Sequence, residues 1–195
     1  MADRDYQQEF VTLYETHIQR NGAEKLLNWM KTTDFFQAPA STRYHGACAQ
    51  GLVMHSVNVC NVLMARFAGE ASEESMVICG LLHDLFKANV YKAGFRNVKD
   101  DETGQWNKVP SFSVKDAFPY GHGEKSAFLI ERFMRLKTEE AVAIRWHMGG
   151  FDDAVKGGSF AISEAWRMYP LGAMLHIADL EATYLLERGT SAVEN

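Results

Sequence analysis

The chain is short of cysteine, short of positive charge and without any long hydrophobic run. Its three cysteines, Cys48, Cys60 and Cys79, are odd in number, form no Cys-x-x-Cys pair and lie among apolar residues. That pattern excludes a disulfide scaffold and reads as buried thiols in a reducing compartment, so a cytoplasmic location is expected. With 20 Lys and Arg against 25 Asp and Glu the net charge is −5. A broad electrostatic footprint on duplex DNA is therefore not expected, whereas a small anionic substrate is compatible. No apolar stretch nears the roughly 18 residues a membrane span requires. The start, Met1-Ala2-Asp3-Arg4-Asp5, lacks the charged-then-apolar pattern of an export signal. Internal repeats, low-complexity tracts and linker-like segments are also missing.

What is present is the composition of one soluble globular domain, 195 residues with 47% hydrophobic and 23% charged positions. A chain of this size buries roughly 70% of its unfolded surface in one core, so stability alone requires no metal, and any bound metal is expected to serve chemistry. Apolar residues recur at three- and four-residue spacing over 5–20, 23–32, 51–68, 73–87, 122–136, 139–148 and 161–188, the last with a break at Pro170. The expected fold is all-α. Gly69 is expected to end one helix in the left-handed conformation, and Ser72 and Thr138 to cap the starts of others. Residues 88–121 depart from this period: β-branched and aromatic residues flank Asp100-Asp101-Glu102-Thr103-Gly104. This predicts a small hairpin insertion at about 90–115, with strands over Tyr91–Lys99 and 105–114.

His83-Asp84 follows the apolar Cys79-Gly80-Leu81-Leu82. An adjacent His and Asp at a helix end can reach one cation together, and the second carboxylate oxygen can bridge to another. Chance alone gives about 0.4 such dipeptides in a chain of this composition, so the pair needs company. His55 shares a helical stripe with Leu52, Val59 and Val62, and a histidine on an apolar face needs a hydrogen bond or a metal. Asp179 shares a stripe with Leu175, Ala182 and Leu186, where a carboxylate is costly unless paired or metal-bound. His122, between two glycines at a helix start, is a cap or a ligand. His147, near a helix end in Arg145-Trp146-His147-Met148-Gly149-Gly150, is a surface residue or a ligand. Together these residues supply the three or four protein ligands per ion that a two-metal site requires.

Other residues suggest the substrate side. Lys87, Lys92, Arg96 and Lys99 follow Leu85 with no acidic residue between them, a local bias suited to phosphate. Tyr91, Phe95 and Trp106 can stack on a base, or can simply pair across the hairpin. His45 precedes the His55 helix and is placed to line the pocket, while His17 reads as a surface residue. His176, one turn before Asp179, is expected to support it rather than to bind metal. Glu124 either supports His122 or serves the helix dipole.

The ordered set His55, His83-Asp84, His122, His147 and Asp179, within about 39–186, resembles the H…HD…H…H…D pattern of the HD-domain superfamily. Pro39-Ala40, Tyr44-His45-Gly46-Ala47, Gly51-Leu52-Val53-Met54-His55-Ser56, Leu82-His83-Asp84-Leu85-Phe86-Lys87, Gly121-His122 and Leu175-His176-Ile177-Ala178-Asp179 look like the HD domain of bacterial metal-dependent phosphohydrolases of the 3′-to-5′ exoribonuclease type. The resemblance implies a single HD domain over 1–195, with N-terminal helices in 1–38 and a metal-binding helical core in 39–188. It implies two divalent ions, manganese or iron foremost, from a ligand set that also accepts magnesium, cobalt, nickel or zinc. His55, His83, Asp84 and Asp179 resemble the ligands of the first ion, and Asp84 would bridge to a second held by His122 and His147. Lys87 matches the lysine that contacts substrate phosphate. Two positions depart from the pattern: Met148 stands where the family often has a second histidine, and Phe86 replaces a small residue and narrows the pocket.

The expected activity is hydrolysis of a phosphate ester by metal-activated water, with Asp84 and Lys87 as catalytic residues and no side-chain nucleophile. The substrate would be a nucleotide, cyclic nucleotide or short oligonucleotide. Without an added nucleic-acid-binding domain, a small nucleotide-like molecule is favoured over long RNA. The same ligand set is also similar to that of mixed-valent di-iron oxygenases of the superfamily. A ligand-sensing HD module is the third expectation, against which the filled ligand positions count.

Overall fold

The computed structural model describes residues 4–188, so positions 1–3 and 189–195 of the expected single-domain span lie outside the described residues. The helix ends show why the chain divides where it does. α1 (Tyr6–His17) begins where the Asp5 carboxylate accepts the Gln8 N–H at 2.9 Å. α2 (Ala23–Met30) follows, and then an irregular stretch leads to α3 (Gly51–Arg66). α4 (Glu73–Leu82) starts at Ser72, whose hydroxyl accepts the Ser75 N–H at 3.1 Å, as the sequence predicts, and Gly69 takes a φ of 85° in the preceding turn. Thr138, by contrast, is not a cap. α6 (Thr138–Trp146) is started by Glu140, whose carboxylate accepts the N–H of Lys137 at 2.7 Å.

The helix expected over 73–87 stops at Leu82 and resumes as a 3₁₀ turn, Leu85–Lys87. A continuous helix would turn His83 and Asp84 about 100° apart around its axis. The break instead lets both face the same interior. β1 (Tyr91–Lys99) and β2 (Trp106–Val114) then form an antiparallel hairpin in the register Tyr91↔Val114 to Lys99↔Trp106. The neck of this insertion is closed by the Lys115 N–H donating to the Val90 carbonyl at 2.7 Å. α5 (His122–Glu131) precedes α6. The region expected as 161–188 divides into α8 (Ala161–Met168), α9 (Leu171–Glu181) beyond Pro170, and a π turn, Ala182–Leu186. α7 (Asp153–Lys156), a single turn capped by Asp152, was not foreseen because four residues carry no period.

The mostly helical fold with one two-stranded sheet agrees with the all-α expectation plus a hairpin. Its centre is set by α3 and α4. α4 buries all eight residues from 75 to 82, and α3 buries ten of its own, His55 included. A helix apolar on all sides must be enclosed by others. Phe10 of α1 closes one side, its ring 5.3 and 5.4 Å from those of Phe35 and Phe36. The α3–α4 crossing depends on Gly80, because a Cβ there would come within 2.6 Å of the Cys60 Cα. Cys60 and Cys79 are buried beside this crossing as expected, whereas Cys48, in the irregular stretch before α3, is exposed. Among the described residues no helix is long and apolar enough to cross a membrane.

Candidate metal centre

Five of the six residues expected as metal ligands converge in the interior. His55 comes from the middle of α3, His83 and Asp84 from the end of α4, His147 from the end of α6, and Asp179 from α9. All three histidines are fully buried and Asp84 is 3% exposed. The Nε2 of His55 lies 3.3 Å from that of His83, 3.3 Å from Asp179 Oδ1 and 3.7 Å from Asp84 Oδ2. His83 Nε2 is 3.6 Å from Asp84 Oδ2, and His147 Nε2 is 3.5 Å from the other oxygen, Oδ1. Asp84 thus turns one oxygen to His55 and His83 and the other to His147. His55, His83 and Asp84 form one group whose ligand atoms lie within 4.8 Å of one another, and His83, His147 and Asp179 form a second. These clusters could hold a metal ion.

The hydrogen bonds on the far side of each ring set its tautomer. His83 Nδ1 is 3.0 Å from the Gly80 carbonyl and His147 Nδ1 is 2.7 Å from the Ile144 carbonyl. A carbonyl can only accept, so both Nδ1 atoms carry hydrogen and both neutral rings present Nε2 lone pairs to the interior. His55 Nδ1 faces the Glu187 carboxylate at 3.1 Å, which fixes the same orientation. Three imidazole lone pairs and two carboxylates therefore point at one small volume. His147 Nε2 is buried there without a hydrogen-bond partner. Such a set of acceptors is tolerated only around a cation or around added protons.

Without a cation, the electrostatics of the cluster favour a proton on His55 and disfavour one on His83. Burial pushes the His55 ring down, but Glu187 and Asp179 outweigh it and raise the pKa to about 10. His83, buried with less compensation from Asp84, falls to about 4. Burial likewise opposes the His147 cation, yet Asp84 raises its pKa. Asp84 stays ionised against burial chiefly because of Lys87, and Asp179 because of His55. Lys87 donates to Asp84 Oδ2 at 2.6 Å, and that ion pair outweighs burial to raise its own pKa.

Of the remaining candidates, His45 forms a further close group with His55 and Glu187, and the others lie apart. His122 begins α5 but is exposed, its ring stacked on Phe86 at 4.5 Å, and among the described residues it joins none of the close ligand groups. Phe86, expected to narrow the pocket, is buried against the His122 ring. His45 stands beside His55, ring centroids 4.8 Å apart, with a buried Nε2 that lacks a partner. Lys92 is exposed and Arg96 half-buried on β1. Tyr91, at the base of the hairpin, is near enough to Lys87 and Asp84 for both charges to act on its hydroxyl. His176 supports His147 rather than Asp179: its Nδ1 is 2.7 Å from the His147 carbonyl, and its ring fits only because Gly149, at a φ of 56°, has no Cβ. Glu124 binds Arg145 at 2.6 Å, not His122, and Arg145 also holds Asp152 at 2.8 Å. His17 is half-buried beside Glu73, and Leu186 of the expected Asp179 stripe is exposed.

Glu187 was missed by sequence reasoning. It is 3% exposed, accepts from Asn58 Nδ2 at 3.0 Å and anchors His55. Eight residues at about 100° each would leave it about 80° around an α-helix from Asp179. The π turn after α9 rotates less per residue and brings it back toward that face. The available signal was an acid close behind an apolar stripe, opposite Asn58 in a helix already known to carry His55.

No protein-family model, no curated protein and no solved structure matches this chain.

Proposed function

We propose that this protein is a metal-dependent hydrolase of phosphate esters of the HD-domain kind, acting on a nucleotide-like substrate. The observation that carries the reading is the convergence of three Nε2 lone pairs and two carboxylates in a buried volume, with Lys87 as the adjacent cation. Divalent ions held by His55, His83, Asp84, His147 and Asp179 would polarise a phosphoryl oxygen and lower the pKa of water to give a nucleophile at neutral pH. The chain's own residues supply the rest. Asp84, with one oxygen toward His55 and His83 and the other toward His147, would be able to ligate on both sides. Glu187, Gly80 and Ile144 hold the three rings in the ligating tautomer. Lys87 keeps a positive charge beside Asp84, where a substrate phosphate would develop negative charge.

The test is anaerobic hydrolysis of bis(p-nitrophenyl) phosphate and p-nitrophenyl phosphate with added manganese, with Asp84→Ala as control. Turnover and bound metal are expected in the parent protein, and both are expected to be lost together in the variant. Turnover that survives in Asp84→Ala would overturn the reading. Inactivity accompanied by bound iron and oxygen consumption would overturn it in favour of an oxygenase.

A further inference from the structure

The hairpin presents its two faces to solvent in opposite ways. Alternation along paired strands puts Tyr91, Phe95, Phe112 and Trp106 on one face, with Lys99 and Lys108 among them near the turn. Phe95 is 73% exposed and Trp106 68%. The other face carries Lys92 and Arg96 together with Ser111, Ser113 and Asn107. A two-stranded hairpin has no second layer to cover large rings, so their display on one side is not explained by packing. Lys99 and Lys108 are the strand cations on the aromatic face, Lys92 and Arg96 lie on the other, and the turn between the strands carries Asp100, Asp101 and Glu102. The aromatic face runs for about 30 Å, from the turn to Tyr91 at the neck, four residues beyond Lys87.

We propose that the aromatic face of the hairpin binds single-stranded nucleic acid, stacking bases on Phe95 and Trp106 and neutralising phosphate with Lys99 and Lys108. Rings accept any base on their π-face, and the two lysines, neighbours of Trp106 on that face, place positive charge beside the stacked base. A duplex offers no unstacked base and would gain only the charge contribution. The direction of the track, turn to neck, delivers an end of the strand to the metal centre, and this part rests on the hydrolase reading above; the binding itself does not. The ligand class therefore extends beyond a lone nucleotide to an oligonucleotide.

The experiment uses the full chain in EDTA, so that metal chemistry plays no part. Fluorescence anisotropy with a labelled oligothymidylate about twelve nucleotides long is expected to show binding that weakens with salt, with a matching duplex bound less tightly. Phe95→Ala with Trp106→Ala should weaken binding at least about tenfold. Ser111→Ala with Asn107→Ala, on the opposite face, should leave it within about twofold, and Trp106→Phe should retain most of it, which separates loss of stacking from loss of the hairpin. Absence of binding by the parent protein, equal loss from both faces, or a parent dimer that only the Phe95/Trp106 variant dissolves would each overturn the proposal; the last would assign the face to a second copy of the chain. Failure of bis(p-nitrophenyl) phosphate turnover with manganese would remove the hydrolase reading and leave the EDTA result standing.

Discussion

Two buried groups of charges lie in this helical bundle, and they are built on opposite plans. In the first, Arg20 reaches both oxygens of fully buried Glu140 at 2.6 Å and Glu74 at 2.9 Å, while Ser75 and the Lys137 N–H donate to Glu140 at 2.7 Å each. Every oxygen of that acid has its donor within the chain. In the second, His55, His83, Asp84, His147 and Asp179 turn lone pairs toward one another with Lys87 as the adjacent lysine. The first group is complete as folded and has a structural role. The second is a cluster of acceptors that could hold a cation, and burial alone would not tell the two apart.

The largest effect expected from this contrast is on stability in the first group. Glu140→Ala would leave Arg20 part-buried without its partner and should cost about 3–5 kcal/mol, read as a lowered midpoint in denaturant. Asp179→Asn, by contrast, removes one of two carboxylates that hold the His55 proton and leaves Glu187 in place, so the chelated protein should lose clearly less stability than Glu140→Ala does. A loss as large as that of Glu140→Ala would show the second group to be structural as well.

A smaller effect should follow from the acid behind His55. Glu187→Gln keeps the shape but removes the charge that fixes the ring, and metal affinity is expected to fall about 10–100-fold by competition with a chromophoric chelator. Unchanged affinity would reduce Glu187 to a packing role.

The smallest effect is a slope with pH. In the metal-free protein the His55 pKa is raised from 6.5 to about 10, so its proton contributes stability that is fully present below pH 6.5 and lost as pH rises through 10. A metal bound at His55, as proposed, would replace that proton. Chelated protein should therefore lose a few degrees in Tm relative to metal-loaded protein between about pH 7 and 9. Parallel curves would show that no cation displaces the His55 proton.

Much of this arrangement was readable in the sequence, for identifiable reasons. The helices of the core show because their apolar period is long, and the hairpin shows because a turn rich in Asp and Gly interrupts that period. His55 and Asp179 stand out because they occupy apolar stripes where only a partner makes them tolerable. Three features did not show. The position of His122 depends on the irregular residues 115–121, Cys48 lies in another irregular stretch, and Glu187 reaches His55 only through a π turn, whose register no α-helical count anticipates. In each case the local backbone, not the residue type, decides the outcome.

The neck of the hairpin has a further consequence. Val90 and Lys115 are joined by one backbone hydrogen bond, so the chain enters and leaves the insertion at nearly the same point. The intervening 24 residues, 91–114, are thus an appendage in the engineering sense, able to be lengthened, exchanged or cut back to a tight turn without altering the path of the chain through the bundle. On the readings proposed above, what the bundle would cleave and what the appendage would hold are separable properties of one polypeptide, free to change at different rates.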